Sequence, residues 1–432
     1  MQEALLILTS FNILFYYESY SKPLTMATSE LLSTFFPTWL WQGRMWSKWR
    51  LPKYDHYYWL NTHAHPVLST YYPVGILTSI VGSRLSLNAA FSLLAVSLNL
   101  HHLFGSIGWF VALQRWMSPE ASLLAAITIS YSAYHQKQQP CIVYTLAWFP
   151  WILTAHSILC PIAIGMVLLA GYYPLAIYLL PSAIIATQTV IPLVIGLIIA
   201  LPQLIPFLRY LPKTIRSAKS EQPEVGPSET NFYIGILPII LLIMNPQWRY
   251  LWILAPIMIS YLFQSFLPRV RQRLWIISSY LAITLSFSFL PKSLLFPLLI
   301  LQCLDLYLHN RLLPTRPFCE LQRVPERVFN SKMMRYLKDN IGDARVSGLP
   351  FPLFTGLVNE IRTIGYCGGM QLKLMAKWRN DRDPNGSGHH DFFIANEDNS
   401  ALDTGRVKFA FTRKGIDWPS TGFKHLYRNP RM

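Results

Sequence analysis

Between residues 67 and 307 the chain is a succession of long apolar runs, and no other feature limits its fold so tightly. The runs cover residues 67–83, 86–114, 119–135, 141–158, 160–187, 190–208, 232–246, 249–267 and 274–307. An α-helix rises 1.5 Å per residue, so ~20 apolar residues carry it across the hydrocarbon core of a bilayer. Hydrocarbon offers no partner to backbone N–H and C=O groups, and a helix satisfies them within its own segment. A shorter run, residues 4–17, precedes the series, and Pro291-Lys292 can divide the last run in two. The expectation is an all-α polytopic membrane protein of about 9–11 spans. Pro174, Pro181 and Pro192 interrupt the fifth and sixth runs and predict kinks or re-entrant turns there.

The charges agree with a border near residue 308. Only 13% of the 432 residues are charged, against about 25% in soluble proteins. Residues 1–308 hold 17 Lys and Arg with 9 Asp and Glu, and the shorter 309–432 holds 20 and 12. We therefore read 1–308 as a transmembrane domain and 309–432 as a small α+β soluble region. In the latter, 326–340 predicts a helix, RVKFAFT at 406–412 a strand, and 380–390 a loop. The net charge of +16 does not point to nucleic acid. The basic residues flank apolar runs, as topology determinants and lipid contacts do, and no basic-aromatic RNA motif or zinc spacing accompanies them. Five cysteines (Cys141, Cys160, Cys303, Cys319, Cys367) without a CxxC predict neither a disulfide framework nor a metal cluster. Residues 4–17 lack a basic n-region and an A-x-A site and read as a retained first span rather than a signal peptide.

The polar loop from Glu18 to Pro73 is the candidate active site. It holds Glu18, Glu30 and Asp55, the histidines His56, His63 and His65, and many Trp and Tyr. Residues 29–42 have apolar positions at helical spacing, with Ser29 as N-cap, and predict an amphipathic helix on the membrane surface. Trp39, Trp41, Trp46, Trp49 and Trp59 fit interfacial anchoring. A carboxylate screened from water beside a membrane can accept a proton from an alcohol. Glu30 and Asp55 are the candidates, and capping or neutralising Arg44, Lys48, Arg50 or Lys53 is the structural alternative. The H-x6-H-x-H spacing of the histidines, with Asp55 alongside, can hold a metal if the loop folds back, but phosphate or sugar contacts are the commoner use and no metal is assigned. His101-His102 lie inside a span, facing either a cavity or a neighbouring helix. Arg209, Lys213, Arg216 and Lys219 fall within eleven residues and suit a lipid phosphate, or simply an anionic lipid surface.

Several stretches, in order, resemble the YfhO-like bacterial membrane proteins of the GT-C glycosyltransferase superfamily. In the first loop they are Glu30, Phe36-Pro37, Gly43, Leu51-Pro52-Lys53-Tyr54-Asp55 and Tyr72-Pro73. Next come Ala147-Trp148-Phe149-Pro150-Trp151, then Ala170-Gly171-Tyr172-Tyr173-Pro174 with Tyr178, and Gln203-Leu204-Ile205-Pro206 before Arg216-Ser217. The tail adds Ala344-Arg345-Val346, Ile364-Gly365-Tyr366, Phe392 to Asn396, and Tyr427-Arg428-Asn429-Pro430. The chain departs from the pattern at Tyr172-Tyr173, where the family has His, and at Asn61 to Pro66. It stops after Asn429-Pro430, where longer members continue, and reads as a shortened member.

The resemblance implies a multi-pass enzyme of the bacterial cytoplasmic membrane, with the first loop and the C-terminal region outside. It implies transfer of a sugar from a polyprenyl-phosphate carrier to an acceptor hydroxyl of an envelope glycan or lipid. Glu30, with Asp55 second, would be the base; Arg209, Lys213 and Arg216 would bind the donor phosphate; His56, His63, His65, Trp148 and Tyr172 would contact substrate. The cofactor stays open, since superfamily members differ in using a divalent metal. The competing readings are a non-catalytic scaffold or lipid-binding member of the same fold, and a transporter whose path includes His101 or His102.

Overall fold

The structure is a computed structural model, and it describes residues 2–23, 31, 35–52, 69–131, 140–154, 159–171, 176, 189–210, 237–238, 287, 292–312, 330–347, 358–362, 407–411 and 426–428. These residues are mostly helical, with few strands. The helices are α1 (Gln2–Phe15), α2 (Tyr17–Ser21), α3 (Phe36–Ser47), α4 (Pro73–Gly82), α5 (Leu87–Leu113), α6 (Pro119–Ser130), α7 (Pro140–Leu153), α8 (Leu159–Leu169), α9 (Ile191–Tyr210), α10 (Lys292–Leu312) and α11 (Lys332–Ile341). Two of them, α5 and α9, are long and apolar enough to cross a membrane. Of the expected run at 232–246 only residues 237–238 are described, and the 249–267 run and the 380–390 loop lie outside the described residues.

Proline sets several helix starts. Pro37, Pro73 and Pro119 occupy the first turn of α3, α4 and α6, where a missing N–H costs nothing. Ser118 caps α6 by accepting from the Ala121 N–H at 3.3 Å. The 160–187 run does not continue as one helix: α8 ends at Leu169, and Gly171 follows with φ 83°, a conformation open to glycine.

The chain divides into two compact units. One comprises residues 1–22, 96–201 and 223–317, and the other residues 23–95, 202–222 and 318–432. In the first unit small residues set helix contacts. A Cβ on Gly105 of α5 would meet the Ala147 Cα of α7 at 3.1 Å. Gly165 of α8 faces Ile199 of α9, and Gly196 of α9 faces Ile164 of α8, each with no room for a side chain. Gly196 and Ala200, four residues apart, are buried on one face of α9, the small-xxx-small seam that lets helix backbones approach.

The distribution of polarity is inverted relative to a water-soluble helix. On α1, Asn12 is fully buried while Ile13 and Leu14 are exposed. On α9, Gln203 is buried while Ile198, Leu201 and Ile205 are exposed, and on α10 buried Gln302 sits beside exposed Leu301 and Leu304. Soluble helices turn polar side chains outward.

In the second unit α3 packs on α4. Of the expected surface helix at 29–42 the part from Phe36 onward is α3, and Phe36 to Gly43 are buried rather than lying half in solvent; Ser29 lies outside the described residues. A Cβ on Gly43 would overlap the Ser79 carbonyl of α4, and one on Gly82 would enter the Trp39 ring. Phe36 meets Phe91 edge-on at 5.2 Å. A small sheet, order β1 (Arg345–Ser347), β2 (Val407–Phe411), β3 (Leu426–Arg428), pairs β1 parallel and β2–β3 antiparallel. The strand expected at 406–412 is β2. With α11 it encloses a core of Met334, Leu337, Ile341, Val346, Ile361 and Phe409.

Candidate functional site

In the second unit the end of the first loop is held by polar side chains from two helices. Ser69 adopts φ 54°, and the Tyr72 N–H donates to its carbonyl at 3.1 Å, closing a turn. Gln42 Nε2 of α3 donates to Thr70 Oγ1 at 2.9 Å. Trp46 Nε1 donates to the Thr70 carbonyl at 3.3 Å, and its ring lies edge-on to Tyr71 at 5.9 Å. The Tyr71 N–H donates to Gln203 Oε1 of α9 at 3.1 Å. Gln203 is fully buried, so this bond forms where water cannot compete. At the end of α3, Arg44 donates from Nη1 to the Val358 carbonyl at 2.8 Å, and its guanidinium is 3.9 Å from the Glu360 carboxylate. Both partners of that pair are partly exposed, and its ionic part is worth little.

Residues that carry the resemblance meet in this assembly. Phe36-Pro37 starts α3, Gly43 makes its closest approach to α4, Tyr72-Pro73 starts α4, and Gln203 ties α9 to the loop end. Each holds a packing or hydrogen-bonding role. Arg209 lies in the last turn of α9, exposed. It is six residues beyond Gln203, about 9 Å along the axis. Trp148 sits on α7, half-buried, with its ring edge-on to Phe104 at 4.7 Å. Glu30, Asp55, His56, His63, His65, Tyr172, Lys213 and Arg216 lie outside the described residues. Of the tryptophans expected at an interface, Trp39 and Trp41 are buried and Trp46 is bonded to the loop; Trp49 is exposed, and Trp59 lies outside the described residues.

The first unit contains a second polar cluster, of which His101 and His102 stand out in the sequence while Asn12, Tyr16, Tyr20, Asn99 and Tyr131 do not. Asn12 Nδ2 donates to Tyr131 Oη at 3.0 Å, and Tyr20 Oη donates to Asn12 Oδ1 at 2.8 Å. Burial pushes the Tyr20 hydroxyl up to about 12, so it stays a protonated donor. Asn99 Nδ2 donates to Ser19 Oγ at 2.7 Å, and Tyr16 stacks on His102 at 5.2 Å. His101 Nδ1 is 2.6 Å from the Ser97 carbonyl, a turn back on the same helix. Asn99 Oδ1 and Tyr16 Oη are buried and meet no hydrogen-bond partner among the described residues. The signal that could have found this cluster is an Asn inside an otherwise apolar run, at positions 12 and 99. Among the described residues no group of three or more His, Cys, Asp or Glu is placed to hold a metal ion.

No protein-family model matches the sequence, and no curated protein matches it either.

Proposed function

We propose that this chain is a multi-pass protein of the bacterial cytoplasmic membrane that transfers a sugar from a polyprenyl-phosphate carrier to an acceptor hydroxyl on the outer side. The membrane part is supported by the inverted polarity of α1, α9 and α10, since apolar side chains facing outward over buried Asn and Gln suit lipid and not water. The transfer part rests on the YfhO-like, GT-C resemblance and on one structural observation. Gln203 fastens α9, whose last turn carries Arg209, to the end of the loop that contains Glu30 and Asp55.

In this reading Glu30, or Asp55, takes the proton of the acceptor hydroxyl as its oxygen attacks the anomeric carbon. The bond from that carbon to the carrier phosphate oxygen breaks, and the electron pair leaves with the phosphate. Arg209, Lys213 and Arg216 offset the negative charge that develops there. Attack opposite the leaving group inverts the anomeric configuration. The loop histidines, Trp148 and Tyr172 contact the sugar or screen the site from water. The carrier and an envelope glycan or lipid acceptor are the partners.

The test is Glu30→Gln in membranes supplied with lipid-linked sugars extracted from the source cells. Transfer should fall at least about a hundredfold, the usual scale for losing a general base, at unchanged protein level. Transfer at the wild-type rate would remove Glu30 from the mechanism. A transporter reading draws on the buried Asn99 Oδ1 and Tyr16 Oη, polar atoms of the kind that line a solute path. Uptake into vesicles that is lost in Asn99→Ala, with no sugar transfer by the wild type, would favour it.

A further inference from the structure

We infer that the turn Lys48-Trp49-Arg50-Leu51 is an anchor that seats in the headgroup region of a bilayer containing anionic lipid. The turn closes α3 in a specific way. The Arg50 N–H donates to the Met45 carbonyl at 2.9 Å and the Trp49 N–H to the Trp46 carbonyl at 2.9 Å. This is the Schellman pattern, which requires a left-handed residue at the position of Trp49. Trp49 has φ 55°. Glycine is the residue that such a helix end favours, because a Cβ crowds the following carbonyl. The chain instead places its bulkiest side chain there and leaves it 96% exposed.

Packing among the described residues does not account for that choice, since Trp49 is left almost fully exposed by them. The neighbours indicate what it meets. Lys48 and Arg50 flank it and are exposed, and Leu51 is 46% exposed. An indole carries an apolar face and one N–H donor, the combination that settles at the boundary of headgroups and acyl chains. Two cations beside it complement lipid phosphates and an anionic leaflet. Among the described residues the other exposed tryptophan with a basic neighbour differs: Trp116 follows Arg115, whose guanidinium is committed to the Leu153 and Thr154 carbonyls at the end of α7. The inference rests on the membrane reading above but not on sugar transfer.

The experiment places a photoreactive aromatic residue, Trp49→benzoylphenylalanine, in the full chain in nanodiscs of mixed phosphatidylcholine and phosphatidylglycerol, with Ile198→benzoylphenylalanine on α9 as the reference. Irradiation should give lipid adducts at both positions, with phosphatidylglycerol enriched over its share at position 49. That enrichment should fall by about fivefold for each of Lys48→Gln and Arg50→Gln. Trp49→Gly should leave the thermal midpoint in detergent unchanged or higher, because it relaxes the left-handed position. Lipid adducts at 198 with only peptide adducts, or none, at 49 would overturn the anchor while sparing the membrane reading. No lipid adduct at either position would overturn both.

Discussion

Of the two helices long and apolar enough to cross a membrane, α5 is the longer and less apolar, 27 residues against 20 with mean hydropathy 1.3 against 2.3, and 61% of its apolar stretch is buried against 17% of that of α9. On α5 the buried set mixes Phe91, Leu94, Leu98 and Phe110 with Ser97, Asn99, His101, His102 and Ser106. On α9 the buried line is small or polar, Gly196, Ala200 and Gln203, and the aliphatic side chains face outward. The first helix is an interior element whose apolar surface is matched by other protein. The second holds its neighbour through a narrow seam and leaves its apolar surface to whatever surrounds the chain. The more apolar helix is thus the less buried one, so apolar composition does not by itself mark an interior helix.

The strongest way to break this contrast is Ile198→Lys. If α9 faces lipid, a cation there should cost about 3 kcal/mol of insertion, read as the fraction of chain integrated into microsomes. If α9 faces water, the same change stays within about 0.5 kcal/mol, and integration matches the wild type. Next in size is Gly196→Leu, which fills the seam against Ile164 and should cost about 2–3 kcal/mol, seen as a lower thermal midpoint in detergent. Equal midpoints would mean that α8 and α9 do not approach at Gly196. The interior character of α5 is tested through its polar partners. Asn12→Ala deprives the Tyr131 and Tyr20 hydroxyls of a partner and should cost about 1–2 kcal/mol. Asn99→Ala, which removes an orphaned Oδ1 along with its bond to Ser19, should cost less than Asn12→Ala, and the reverse order would refute the network as drawn. The smallest effect is expected for Arg115→Ala, about 0.5 kcal/mol, because its bonds to the α7 carbonyls are exposed.

Much of the helix pattern could be read from the residues. The runs 86–114 and 190–208 correspond to Leu87–Leu113 and Ile191–Tyr210, because long apolar stretches bounded by Ser, Thr and Pro leave little choice of start or end. β2 was visible in the alternation of RVKFAFT. The depth of α3 was not. Its sequence mixes Trp, Gln, Gly and Arg, which reads as a surface helix, and only its contact with α4 at Gly43 and Gly82 makes Phe36 to Gly43 interior. The loop was legible as a stretch rich in acids and aromatics, whose Glu30 and Asp55 lie outside the described residues, but the side chains that hold its end, Gln42 and Gln203, were not, since an isolated glutamine does not announce its partner.

By itself the sequence determined that the described residues are mainly helical, where several of their apolar helices begin, and that charge gathers after residue 308. Those properties follow from local composition and from proline and glycine geometry, which act within a few residues. The tertiary structure alone decided which face of each helix is inside. On α9 almost every position is apolar, so no periodicity marks a buried side, and the choice falls to the places where backbones can approach. Those places are Gly165 and Gly196, with Gln203 turned inward to accept from the Tyr71 N–H.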